Sequence, residues 1–366
     1  MSTALKDRYN AQFFDTFCQA LELVNPRLET DQFRNDVFTT AFHEAELKGR
    51  MSHISTVLHT YLSEDFKTAC QEIIDTVNAL KGLGVGENFE YMFLPDYVAK
   101  YGLHDLDVSV NTLAAITAFT SAELAVRPFI LKYPEKMIRQ MTQWSKHKDP
   151  KVRRLASEGG RPRLPWAMAL PPFKVDPSPM LPILETLKND PDMWVRRSVA
   201  NHVNDISKDN PDIAKDLALR WMGHSKNQDA VVKHGCRSLL KAADPDILKL
   251  FGLDSSGLEL LHFNVSNDHV KMGQRLHFDF KFANETNNPR TVRIEYNIHL
   301  LKKNGSSSEK IFKISERMIQ ANEVVLIEKS HHFKPISTRV YYSGLHKVSV
   351  VLNGKPFETI DFQLET

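Results

Sequence analysis

A phrase recurs through the middle of this 366-residue chain: Asp-Pro, a short gap, Val-Arg-Arg or a relative, then small residues. It reads Asp149-Pro150 with Val152-Arg153-Arg154, then Asp190-Pro191 with Val195-Arg196-Arg197, then more weakly Asp229 with Val232-Lys233-His234. The aligned valines lie 43 and then 37 residues apart. Self-similarity at such a period marks stacked two-helix units, none of which can bury its apolar face alone. Copies must therefore stack, with equivalent helices lining one concave surface.

Within a copy, Asp149 reads as an N-cap and Pro150 as the first helical residue, where its missing N–H costs nothing. Val152, Leu155, Ala156 and Gly159 fall on one side, while Arg154 and Glu158 sit four apart on the exposed side. Alone, that pair is equally well a surface salt bridge worth a few tenths of a kcal/mol. The helix stops at Gly159-Gly160, and Arg161 to Trp166, RPRLPW, leave it as a stiff basic segment ending in an indole. In the second copy Trp194, Arg197, Asn201 and Asp205 form one polar stripe opposite Val195, Val199 and Ile206. Upstream, Glu123 and Arg127 repeat the i, i+4 pairing of carboxylate and guanidinium.

The copies are bracketed by different material. Residues 5 to 80 show the 3.6-residue period of amphipathic helices, over 5–24, 30–46, 49–61 and 66–80. Between the first two copies, residues 159–179 hold six prolines, which predict an extended, fairly rigid loop over the binding face. After Gly252 the period changes to two, with strands expected at 258–265, 276–282, 291–301, 309–314, 323–328, 338–342, 347–352 and 358–364. Asn353-Gly354 is a two-residue hairpin signal. The fold class is mainly α, a HEAT-like helical solenoid over 1–252, followed by an all-β immunoglobulin-like sandwich over 253–366.

With 42% hydrophobic and 25% charged residues, the composition suits a soluble globular chain of about two domains. No signal peptide, membrane span or membrane partner is expected, and Cys18, Cys70 and Cys236 show neither disulfide nor zinc spacing, which fits a reducing cytoplasm. Charge is uneven: Lys and Arg number 13 against 19 acids over 1–145, but 19 against 13 over 146–252. A basic middle next to an acidic segment points to a polyanionic partner.

The string SEGGRPRLPW after Val-Arg-Arg, the repeats around it, and ELKGRMSHIS at 46–55 resemble the AlkC branch of bacterial DNA alkylation repair glycosylases. That resemblance covers the helical part and implies a monomeric, monofunctional hydrolase. It would cut the N-glycosidic bond of cationic N-alkylated bases, N3-methyladenine first and N3-methylcytosine next, in double-stranded DNA without flipping the base. No metal, cofactor or protein partner is called for. The reaction needs a negative charge beside the oxocarbenium-like sugar. Glu158 is the first choice for it, Glu123 the second and Asp205 the third. Arg154, Arg161, Arg163, Arg197, Arg127 and Lys233 would meet phosphates, and Trp166 and Trp194 the sugar or cationic base. The alternative is a non-enzymatic HEAT-repeat scaffold or DNA clamp, which has no reason to keep a carboxylate on a basic face.

Overall fold

A computed structural model describes residues 4–336 and 339–366. The chain forms two compact units, Met1–Gly235 and Cys236–Thr366.

The first unit is helical. Its N-terminal block comprises α1 (Ala11–Val24), α2 (Thr30–Val37), α3 (Thr40–Glu44), α4 (Leu47–His59) and α5 (Phe66–Gly82). It continues with α6 (Phe93–Tyr101), α7 (Leu106–Ile116), α8 (Arg127–Lys132), α9 (Pro134–Trp144) and α10 (Pro150–Glu158). It closes with α11 (Pro171–Val175), α12 (Leu181–Leu187), α13 (Met193–Ile206), α14 (Pro211–Trp221) and α15 (Lys226–Gly235). The helix expected over 30–46 is split, because the Thr39 hydroxyl accepts the Phe42 N–H and starts a new helix there.

Helix α9 packs on α10, α12 on α13 and α14 on α15, while α10, α13 and α15 are successive neighbours. The recurring phrase explains this stacking. The first arginine of each Val-Arg-Arg turns back onto its own entry turn: Arg153 donates to the His147 and Lys148 carbonyls at 2.9 and 3.0 Å, and Arg196 to those of Asp190 and Pro191 at 2.5 and 2.9 Å. Asp149 caps α10, but α13 starts two residues after Pro191 and is capped by Asp192. Asp190 is thereby free to grip Arg153 of the preceding copy, at 2.6 and 2.9 Å. Only the second arginine, Arg154 or Arg197, remains for the exposed face.

The proline-rich excursion is not uniformly extended. Pro171 and Pro172 occupy the first turn of α11, and a 3-10 helix follows at Ser178–Met180. Proline's fixed φ favours a helix start as readily as an extended run.

The second unit is a β-sandwich carrying two short helices, α16 (Arg237–Lys241) and α17 (Pro245–Leu250). Among the described residues its strands are β1 (Leu258–Val265), β2 (His269–Lys271), β3 (Arg275–Asn284), β4 (Arg290–Leu301), β5 (Ser307–Ile319), β6 (Val324–His332), β7 (Gly344–Leu352) and β8 (Lys355–Glu365). They form two sheets ordered β1-β3-β6 and β2-β8-β7-β4-β5. Phe278, Phe280, Ile294, Tyr296, Val348 and Phe362 belong to the core between them. The strand expected over 338–342 starts at Thr338, outside the described residues, and Arg339 forms only an isolated bridge to Ile336. The three-residue β2, parallel to β8, is too short for its period to show.

The helix-to-strand change falls between Leu250 and Leu258, whereas the compact units divide at 235/236. The β7–β8 hairpin gives the reason. Its turn residues Asn353 and Gly354 have φ of 47° and 77°, and Gly354 lies against Ala243 and Leu248. The last two helices are therefore packed with the sandwich.

Candidate active site

At the end of α10 the chain turns through Gly159 and Gly160, where the space for a side chain is tight. A Cβ on Gly159 would lie 2.5 Å from Val126, and one on Gly160 would lie 2.3 Å from Met180. This tight corner folds Arg161 back over the helix. Its NH1 donates to Glu158 Oε1 at 2.6 Å and its Nε to Asp205 Oδ2, on α13, at 2.9 Å. Arg154, one turn earlier, donates to both oxygens of Glu123 at 3.0 and 3.4 Å and to the Ser121 hydroxyl at 3.1 Å. The nitrogen that reaches Glu123 Oε1, NH2, also lies 3.8 Å from Glu158 Oε1. Glu123, Arg154, Glu158, Arg161 and Asp205 thus form one alternating chain of charge, and Lys208 reaches the outer oxygen of Asp205 at 3.3 Å.

Burial opposes both guanidinium charges, but the carboxylates outweigh it. The pKa of Arg154 is raised by Glu123 and Glu158, and that of Arg161 by Glu158 and Asp205. Within the chain the three carboxylates differ in how their oxygens are used. Arg154 holds both oxygens of Glu123, and Arg161 and Lys208 divide those of Asp205. Both cations at Glu158 fall on Oε1. Oε2 is the oxygen left to accept from a water or to face a developing cation.

The remaining residues separate into two groups. Trp166 and Trp194 are each 61% exposed, and Arg197 and Lys233 are exposed. Arg163 is half-exposed and gripped bidentately by Asp209 at 2.7 and 2.5 Å. Two adjoining grooves meet at Ser121. One, of about 400 Å³, is lined by Lys151, Arg154 and Trp194; the other, of about 180 Å³, runs beneath Trp166.

Other expectations are corrected. Arg127, expected at phosphate, is 0% exposed. Its Nε donates to the Met168 carbonyl at 2.6 Å and its NH1 to those of Gly159 and Arg161 at 2.9 and 2.8 Å, so it holds the RPRLPW segment in place. Burial lowers its pKa to about 10. It does not pair with Glu123, because residues 123–126 are not helical and α8 begins at Arg127 itself. Arg161 is likewise buried and committed to two carboxylates. Glu158, read as lying on an exposed face, is buried because Arg161 covers it.

Sequence reasoning missed His202. It is fully buried, with Nδ1 3.0 Å from the carbonyl of Ser157, the residue before Glu158. A carbonyl can only accept, so Nδ1 carries the proton and the imidazole ties the last turn of α10 to α13. Burial lowers its pKa to about 4 and keeps it neutral. The only signal was its position opposite the polar stripe, which it shares with core residues. Among the described residues no cluster of three or more His, Cys, Asp or Glu side chains is placed to hold a metal.

Comparison with known proteins adds an independent line. Residues 259–366 match the family described as the C-terminal immunoglobulin-like domain of the uncharacterised protein YhaZ. The uncharacterized protein YhaZ of Bacillus subtilis (strain 168) is 37% identical over 361 residues, covering 98% of this chain and 99% of that protein. Among solved structures, the Pseudomonas fluorescens alkylpurine DNA glycosylase AlkC, bound to DNA containing an abasic site analog, matches with a TM-score of 0.93 at 30% identity over the full length of both chains.

Proposed function

This chain belongs to the AlkC family, and from that membership we propose that it is a DNA glycosylase. It hydrolyses the N-glycosidic bond of cationic N-alkylated bases in duplex DNA, N3-methyladenine first and N3-methylcytosine as a second substrate. The observation that carries this reading is the oxygen accounting above: of the three carboxylates in the chain, Glu158 is the one that keeps an oxygen uncommitted to a cation.

Alkylation at N3 makes the base a cation and hence a good leaving group. As the bond to C1′ lengthens, positive charge moves onto the sugar. A fixed negative charge in a site of low dielectric stabilises that charge without reorganising. Glu158 supplies it, and Oε2 orients the water that adds to C1′. Arg161 and Arg154 hold the carboxylate in place, so they are positioning residues here. Arg197, Arg163 and Lys233 meet phosphates. Trp166 and Trp194 lie against the sugar and the cationic base, where a desolvated cation–π contact contributes up to about 2 kcal/mol. Neither groove beside the carboxylates is an enclosed cage for a whole nucleotide, which suits reading a lesion that stays in the duplex better than extruding it.

The test is incubation with methylated duplex DNA and chromatography of the free bases, with Glu158→Gln run in parallel. The expected result is release by the wild type and binding without release by the variant. If the wild type frees no methylated base, the proposal is wrong.

A further inference from the structure

The stretch ELKGRMSHIS at 46–55 has no part in the carboxylate chain, yet its side chains build one structure. Arg50 is buried and donates to the carbonyls of Lys6, His43 and Ala45 at 2.8, 3.0 and 3.1 Å, which fixes the start of α4. Ser55 donates to Asp96 Oδ2 at 2.7 Å. Lys48 reaches across to the Trp166 carbonyl at 2.9 Å. Lys48 and Asp96 help wall a cleft of about 180 Å³, which is small beside the roughly 300–1,000 Å³ of most ligand sites. Met51, Met92, Met168, Trp166, Asp96 and Ser121 line it. Trp166 itself holds a φ of 65°, a conformation that a bulky residue adopts only where its surroundings impose it. Ser121 is the residue that Arg154 binds, so the cleft opens beside the carboxylate chain.

We infer that this cleft receives the excised base, a free N3-alkylated purine. The inference rests on the glycosylase reading above. When the glycosidic bond breaks, its electron pair leaves with the base and cancels the positive charge, while the water oxygen bonds to C1′ and its proton passes to solvent. The ligand is therefore a neutral, flat, polarisable ring. The indole of Trp166 offers it a stacking face, and the methionine thioethers make soft contacts with its edge and alkyl group. Asp96 Oδ2 is taken by Ser55, which leaves Oδ1 to accept from the exocyclic amino group. Lys48 and Asp96 cancel in charge, so the cleft carries no net charge that would favour the cationic base over the neutral product. The base enters only after the bond is cut, so the lesion need not leave the duplex beforehand.

The experiment measures inhibition of base release by added N3-methyladenine, together with calorimetric binding of that compound to the full-length protein. Two variants occlude or strip the cleft away from the carboxylates: Ala99→Leu, at a lining position, and Met168→Ala. The expected result is saturable binding and inhibition of the wild type. Both should weaken about tenfold or more in the variants, the factor equivalent to losing one base-stacking contact. The rate of a first turnover, before product accumulates, should be unchanged. Wild type that turns over but neither binds the free base nor is inhibited by it overturns the inference, as do variants inhibited like wild type. Absence of any base release defeats the glycosylase reading instead, and calorimetry then decides the cleft on its own.

Discussion

Arg161 stands three residues after Glu158, and its guanidinium lies 2.6 Å from that carboxylate across the end of a helix. The backbone has already left α10 when the side chain returns to it. The carboxylate is held by a segment outside its own helix, and that segment is pinned in turn by Arg127 from below.

Glu158→Gln preserves shape and removes charge. Base release in a single turnover should fall by about 10²–10³-fold, the usual loss when one electrostatic stabiliser is removed from a preorganised site. Affinity for damaged duplex should stay within a few-fold of wild type. Glu123→Gln should lose less, since Arg154 already occupies both of its oxygens.

Arg127→Ala should act on folding and leave the salt dependence of DNA binding unchanged. Three carbonyls lose a charged donor, and charge-assisted hydrogen bonds contribute about 1.5–3 kcal/mol each. Thermal unfolding should shift down by several degrees at least. Arg197→Ala should do the reverse, with stability kept and the log–log salt slope reduced by about 0.9.

His202 makes stability depend on pH. Its pKa in the folded chain is lowered to about 4 by burial, against an ordinary 6.5 when unfolded. The unfolded chain therefore binds the proton first as pH falls. The stabilisation is complete above pH 6.5 and is lost progressively as pH drops to 4, on the order of 3 kcal/mol in all. Unfolding curves across that window should flatten in His202→Gln relative to wild type. An unchanged slope would mean that the imidazole is not held neutral.

Gly354→Ala should destabilise the sandwich. Its φ of 77° disfavours a side chain, and the new Cβ would lie 2.8 Å from both Ala243 and Leu248. A loss of about 1–3 kcal/mol is expected. Gly305→Ala, at a φ of 79° with open space around it, isolates the backbone part and should cost less.

The order of helices and strands could be read from the chain because period and turn residues are local properties. So could the convergence of Glu123, Arg154, Glu158 and Asp205, since the repeat brings α10 and α13 side by side. The identity of each ion pair could not be read. Spacing of i, i+4 promises a contact only inside a helix, and Glu123 and Arg127 do not share one. Arg161 follows a glycine corner whose direction is set by Val126, Met141 and Met180, side chains distant in sequence. His202 looked like any residue of a packed face, because an imidazole that serves one carbonyl leaves no mark in composition.

The corner at Gly159 and Gly160 has a consequence for how this protein can vary. The placement of Glu158 depends on two missing methyl groups, since even an alanine there would press on neighbours from three other segments. Substitution at these positions would move the carboxylate without touching any charged residue. A library screened for activity should therefore find this dipeptide as intolerant as the acid it follows, and a search confined to ionisable side chains would overlook it.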